Sequence, residues 1–394
     1  MHMIVSHRLI RLWRKMPIKL FTEVNIMNKK GSGKVKCAVV GPGGMGSNGL
    51  IAFTDCEWTE LVAIAENDDE RRQEVCSQYK VKGYKDYLDL INDKDVELIY
   101  NATPNFLHKD VIVNALQAGK HVFSEKPLAT TPQQCRQILN TARKSKAKLQ
   151  IDFEMRFSVL PARIKKIIDS GEIGQVRNIY FNHSGGGGEF KKEARRKAAW
   201  TNDMKKVGGY YIEEGCHRLD IFRWMMGSDA KEVLCIPAPE IRGESTWHRA
   251  YAEPATSMYF FKNGGFANLI TLQHRGAACP PAGMEPDLGH EYGISLIGTG
   301  GSIISDFWRG TIKIFRFKGK YGKVEFERQE SYTGVLEFKW HHDARSFLKD
   351  FALRVKEGRP VLFDVKDVSK TMAMAFASEQ SMQKGGQRVG VKHI

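Results

Sequence analysis

Val35-Lys36-Cys37-Ala38-Val39-Val40-Gly41-Pro42-Gly43-Gly44-Met45-Gly46 is the stretch whose reading decides the fold. A short apolar β-branched run ends on glycines spaced G-x-G-x-x-G (Gly41, Gly43, Gly46), and an apolar helical segment follows to Phe53. Strand, glycine turn and helix in that order suit a dinucleotide: the glycines allow the tight turn and let the backbone approach a pyrophosphate at the helix N-terminus. The spacing alone is weak evidence. It gains weight from Glu66, which closes the next apolar run and stands where a carboxylate accepts a ribose diol. That carboxylate also repels a 2'-phosphate, and Asn67 stands where NADP would want an arginine, so NAD is expected over NADP. Arg71 and Arg72 argue the other way. The expected cofactor contacts begin with Gly41, Gly43, Gly44, Met45, Gly46 and Glu66.

Outward from that turn the chain alternates. Helical patterns at 69–79, 87–91, 109–118 and 132–145 are interleaved with apolar runs at 61–65, 97–102, 121–125 and 149–153, which predicts βαβ units and a parallel sheet. After a helix at 161–169 the texture changes to long alternating or aromatic strands at 176–182, 257–261, 266–273, 292–297 and 311–317, and a last helix covers 365–383. The predicted class is α/β. A Rossmann dinucleotide-binding domain (33–155) precedes an α/β domain (156–394) for substrate and oligomerisation, built on a large, mostly antiparallel open sheet.

The 394 residues are 42% hydrophobic and 27% charged, enough for two ordinary globular domains. No apolar stretch approaches the eighteen or so residues needed to cross a bilayer, so a soluble chain with no membrane partner is expected. The net charge of +15 suggests nucleic acid at first sight. Residues 1–36, however, hold nine Lys/Arg against one acid, and the rest of the excess is spread thinly, so no nucleic-acid partner is expected. Residues 1–32 are expected to be a disordered or weakly amphipathic basic tail, and Met27 is a candidate start just before the first strand. Seven scattered cysteines without a Cys-x-x-Cys pair indicate reduced thiols in the cytoplasm and no structural metal.

Three groups carry chemistry. Glu125-Lys126-Pro127 ends the run at 121–125, so Lys126 should point into the crevice at the carboxyl ends of the strands. Thr103-Pro104-Asn105 and His108 follow the run at 97–102 and are expected to line the nicotinamide side, with local packing the plainer reading of His108. Beyond Gly208-Gly209, a helix would set Glu213, His217 and Asp220 on one face, where a carboxylate one turn from a histidine can fix its tautomer. The alternative there is a solvated polar face.

These stretches resemble the glucose-fructose oxidoreductase, inositol dehydrogenase and rhizopine-catabolism (Gfo/Idh/MocA) family from about Val35 to about Gln383. The resemblance also draws on 118–122 leading into Glu125-Lys126-Pro127, the 168–174 turn, Trp200, Gly215-x-His217-x-x-Asp220, the 298–301 turn and 357–360. It implies NAD(P) at a domain junction beside a sugar or polyol, in a homodimer or homotetramer. The family's catalytic lysine and histidine fall on Lys126 and His217, and its usual aspartate falls on Glu213, a departure that leaves this residue to orient His217 or to bind substrate. Glu125 is grouped with the cofactor residues. Beside a cationic nicotinamide, charge and burial should both depress the pKa of Lys126.

The resemblance implies two further readings. Some relatives eliminate and hydrate a transiently oxidised glycoside, a glycosidase or lyase activity that an acid such as Glu189 in the Gly-rich loop 184–188 would suit. A non-enzymatic regulator is the other. Lys191, Lys192, Arg195, Arg196 and Lys197 after that loop would favour an anionic sugar, against a plain solvated helix end. Candidate substrate residues are Arg156, Trp200, Asp203, Tyr211, Glu189 and His274.

Overall fold

The computed structural model describes residues 33–184, 199–238, 254–272, 292–307, 309–319, 322–332 and 344–394. The opening stretch forms β1 (Val35–Val40) and α1 (Gly46–Thr54), followed by β2 (Thr59–Ala65) and α2 (Asp69–Tyr79). Then come β3 (Lys82–Tyr84), α3 (Tyr87–Asn92), β4 (Leu98–Asn101), α4 (His108–Gln117), β5 (His121–Ser124), α5 (Pro132–Lys144) and β6 (Leu149–Ile151). Local chemistry fixes several starts: the Asp68 side chain accepts from the Arg71 amide, and Thr131 accepts from Gln134 with Pro132 opening α5. The six strands pair in the order β3-β2-β1-β4-β5-β6, all parallel. Helices cover both faces, which is why the central strands read as unbroken apolar runs.

The chain continues through α6 (Val159–Asp169), β7 (Val176–Ser184), α7 (Met204–Val207), a π-helical turn (Tyr211–Gly215), α8 (Cys216–Met226) and β8 (Ala230–Pro237). Strands β9 (Pro254–Phe261), β10 (Phe266–Leu272), β11 (Tyr292–Gly298), β12 (Gly301–Asp306), β13 (Thr311–Lys318) and β14 (Lys323–Ser331) follow. Last are α9 (Ala344–Lys356), α10 (Val365–Gln383) and β15 (Val389–Gly390). Among the described residues nine strands form one sheet in the order β14-β13-β12-β11-β7-β10-β9-β8-β15, and of its described pairs only β7 and β10 run parallel, so it is mostly antiparallel as expected. One face packs on α8 and α10, with Phe181 and Tyr259 meeting Phe222 edge-on or tilted. The opposite face leaves Tyr180, Ile270, Ile297 and Ile304 exposed.

Helix α9 crosses back to the first sheet. Its Phe347 and Phe351 rings lie 5.0 and 5.6 Å from the Phe123 ring of β5, and with Leu348 and Ala352 they complete the core that contains Val35, Val39 and Leu50. Lys34–Ile394 form one compact unit. Among the described residues no helix is long and apolar enough to cross a membrane.

Candidate active site

Strand pairing places the site. Val40 pairs with Asn101, Asn101 with Ser124 and Ser124 with Ile151, so the residues just past these ends, Gly41, Ala102, Glu125 and Asp152, line up along the carboxyl edge of the sheet. Between β1 and β4 the connections leave in opposite directions, and a crevice opens there. Gly41 (φ 79°) bends beneath Ala102, and a Cβ on it would lie 2.9 Å from the Ala102 carbonyl; one on Gly46 would lie 2.0 Å from the Gly41 carbonyl. Gly43 and Gly44 instead face open space. No side chain caps α1 and no acid stands in its first turn, so its amino end presents partial positive charge with room beside it. Met45 is largely exposed at this turn.

Glu66 follows Ala65, the partner of Val40, and is half-buried beside the same turn, its Oε1 accepting from the Asp68 amide at 3.1 Å. Arg72 is held by Asp69 (2.6 Å) and the Glu66 carbonyl (2.9 Å), and Arg71 Nε donates to the Pro42 carbonyl at 3.3 Å. Glycine turn, open cradle and carboxylate together fit a dinucleotide.

The Thr103 hydroxyl donates to Asn101 Oδ1 (2.7 Å), and Pro104 is half-buried beside it. Two expected lining residues play other parts. Asn105 is buried and donates to the Val207 carbonyl (3.3 Å), pinning α7 to the first sheet. His108 is buried as well, with Nδ1 2.7 Å from the Pro127 carbonyl and Nε2 2.9 Å from the Thr103 carbonyl. It joins the loops after β4 and β5 through these two carbonyls. Burial first, then the Lys126 charge, lowers its pKa against the two carbonyls.

Lys126 Nζ donates to the Glu213 carbonyl at 2.8 Å, in the π-helical turn that leads into α8. Opposing effects set its pKa. Burial does act to lower it, but the charges of Glu214, Glu213 and Glu125 and the Cys216 sulfur outweigh burial and raise it. Lys126 is therefore an ammonium donor here.

The π turn also changes the polar face built on Glu213, His217 and Asp220. Asp220 is turned inward, taking Arg156 Nε and Nη2 at 2.5 Å each and the Thr371 hydroxyl at 3.0 Å. The carboxylate found beside His217 is Glu154, whose Oε2 lies 3.5 Å from Nδ1, while the Phe153 ring meets the imidazole edge-on. Glu213 is half-buried and contributes its backbone carbonyl to Lys126.

The substrate candidates disperse. Arg156 is buried against Asp220 and Asp367 with its guanidinium 4.5 Å over Phe363, a core network that has no face for substrate. Tyr211 is fully buried, its hydroxyl bonded to Ser257 and its amide to Glu379 Oε1 at 2.6 Å. Asp203 caps α7 by accepting from the Lys205 amide (3.0 Å), and Trp200 packs half-buried against the large core that contains Tyr210 and Phe222. Glu189, His274, the 184–188 loop beyond Ser184 and the basic cluster at 191–197 lie outside the described residues.

Asp152, Glu154, Tyr100 and Glu379 were missed. Asp152 and Glu154 follow β6 and are buried with Glu125. Tyr100 donates to Glu125 Oε1 at 2.5 Å, while both Asp152 carboxyl oxygens are buried without a hydrogen-bond partner among the described residues. Burial is the chief cause that raises Glu125 to about 7 and Glu154 to about 8, and burial followed by the Glu125 charge pushes Asp152 well up. Glu379 likewise rises to about 7 through burial at the Gly209–Tyr211 backbone. The strand-end rule that selects Lys126 also selects Asp152 once the strand expected at 149–153 is ended at Ile151. Among the described residues no cluster of His, Cys, Asp or Glu is arranged to hold a metal ion.

Residues 35–153 match the family model described as "Oxidoreductase family, NAD-binding Rossmann fold", and 165–391 match "Oxidoreductase family, C-terminal alpha/beta domain". The chain is 35% identical over 203 residues to an inositol 2-dehydrogenase of Salmonella paratyphi B, a match that covers 50% of this chain and 56% of that enzyme, so it spans little more than half the relative's length. It is 25% identical over 360 residues to scyllo-inositol 2-dehydrogenase (NAD(+)) of Bacillus subtilis, covering 89% of this chain and 95% of that one. A levoglucosan dehydrogenase solved with NADH and levoglucosan shares the fold at a TM-score of 0.75 and 19% identity, over 91% of this chain and 100% of that one. With both of its domains matched, and with the glycine cradle and strand-end lysine of its first sheet in place, the chain belongs to the GFO_IDH_MocA oxidoreductase family and carries that family's NAD-binding Rossmann fold.

Proposed function

We propose that the protein is an NAD-dependent dehydrogenase that oxidises a CH–OH group of a sugar or polyol. The observation that supports this most is the meeting of Lys126, from the end of β5, with the main chain one turn before His217. The glycine turn and Glu66 would hold NAD, which would supply the hydride acceptor. Lys126, held as an ammonium, donates to the substrate oxygen and stabilises negative charge on it. His217 is the group that takes the hydroxyl proton. Glu66 favours NAD over NADP through its charge at the ribose. The relatives named for inositol and levoglucosan support a cyclic polyol or a sugar as the substrate class.

The boundary near residue 155 is part of the same reading, with the second domain shaping the substrate side. The exposed apolar face of the nine-stranded sheet supports a homodimer or homotetramer. Cytoplasmic location is supported by the six described cysteines, all free.

Purified protein with NAD and a panel of inositols, anhydrosugars and aldoses tests the activity. NADH formed in step with oxidised product is the expected result. NAD-requiring aglycone release without NADH would move the assignment to the redox-assisted hydrolase, and no turnover of any kind would overturn the enzyme reading.

A further inference from the structure

The acids behind His217 are more than packing. Glu154 opens the 3-10 turn Glu154–Arg156 right after β6, and its carboxyl is buried beside the imidazole. The 3.5 Å separation is of the kind that shortens when an active site is filled. We propose that Glu154 is the positioning residue of His217: its carboxyl selects which ring nitrogen carries the proton and so sets the direction in which the imidazole exchanges a proton with substrate. The proposal rests on the dehydrogenase reading of this site for its consequence, though not for its geometry.

The proton count runs as follows. An ionised Glu154 accepts from Nδ1–H, which leaves Nε2 with a lone pair able to take the substrate's hydroxyl proton. As that proton arrives at Nε2, the Nδ1 proton passes to the carboxylate, leaving a neutral imidazole beside a carboxylic acid. In the reverse direction, protonated Glu154 donates to Nδ1 while Nε2–H gives its proton to a carbonyl oxygen. No proton is created or lost, and no charge is left isolated in the core.

Neighbouring charges bear on that balance. Burial raises Glu154, its own backbone amide, Lys126 and Arg218 lower it, and Glu214 raises it. Glu125, Asp152 and Tyr100 face it from the ends of the neighbouring strands. A midpoint close to pH 8 follows, with the Nε2–H tautomer below it and Nδ1–H above it.

The test is a titration of ¹⁵N-histidine-labelled, cofactor-free protein from about pH 6 to about pH 10 by NMR. The His217 signals are those lost in His217→Asn. The expected result is an exchange of protonated and unprotonated nitrogen shifts near pH 8 in the native protein and its absence in Glu154→Gln. Glu154→Asp keeps the ionisable group but withdraws it, and should move the midpoint; it also serves if the glutamine variant does not fold. In parallel, kcat for oxidation should rise about tenfold per pH unit below the midpoint and lose that limb in Glu154→Gln, with KM unchanged. A tautomer exchange that is unaltered in both variants overturns the proposal. A tautomer exchange that behaves as expected in a protein that oxidises no polyol overturns the functional reading alone.

Discussion

Lys126 Nζ is anchored to the main-chain carbonyl of Glu213, not to its carboxylate. Removing the lysine removes the cation at the site, so Lys126→Met should lower kcat/KM by about 10²–10⁴ while NAD still binds. Glu213→Gln keeps the carbonyl and should lower it less than about tenfold. Steady-state kinetics with cofactor-fluorescence titration checks both. Equal losses from the two changes would show that the Glu213 side chain itself acts on substrate.

The glycines of the turn separate folding from cofactor binding. Gly46→Ala drives a Cβ into the Gly41 carbonyl at 2.0 Å and should lower the melting temperature sharply. Gly43→Ala meets nothing within 4 Å in the free chain, so its Tm should stay near the native value while NAD binding weakens at least about tenfold. Thermal melts and isothermal titration calorimetry read the two effects. A Gly43→Ala protein that binds NAD normally would remove the cradle from the pyrophosphate site.

The buried acids make stability fall as pH rises. Glu125, Asp152, Glu154 and Glu379 have folded-state pKa values raised above those of the unfolded chain, so between about pH 5 and pH 8 the native state binds more protons than the unfolded one. Each such proton weakens folding by about 1.4 kcal/mol per pH unit while it persists. Carboxylates held low, such as Glu330 at about 2, lose their contribution only in more acidic solution. Urea unfolding at about pH 5 and pH 8 should show the loss, and Asp152→Asn should flatten it. Stability that climbs across this interval would contradict the charge states assigned to the cluster.

Arg156 belongs to the scaffold. Its ion pair with Asp220 is nearly sealed from solvent, while Asp367 is partly exposed and keeps Arg223, so Arg156→Met leaves one buried carboxylate without its cation and should cost about 3–5 kcal/mol in denaturant unfolding. Protein that remains folded should keep its KM. A changed KM at native stability would return Arg156 to the substrate.

Much of the fold was legible because its signals are local. The glycine turn, the caps at Asp68 and Thr131 and the period of α10 each lie within a few residues of one another. Helix α9, for which no element was expected, also carries a readable pattern, apolar at Ala344, Phe347, Leu348, Phe351 and Ala352. The edge strands β3 and β15 are three and two residues long, too short for any period to show. In the site, strand-end position found Lys126 and Glu125. The pairing of Glu154 with His217 joins turns far apart in sequence, and a π turn before α8 shifts the face that a regular helix would present. The burial of Arg156 and Tyr211 depends on partners at Asp367 and Glu379 in the last helix, which no window around them contains.

The return of α9 to Phe123 governs how the chain is made. The nucleotide half leaves the ribosome with a patch of its core uncovered until Phe347 and Phe351 are synthesised. At roughly 5–20 residues per second that is an interval on the order of ten seconds or more. During it, Phe123, Leu50 and their neighbours are available to chaperones or to other nascent chains. A truncated protein ending before α9 should therefore aggregate through its first sheet even though every residue of the cofactor cradle is present.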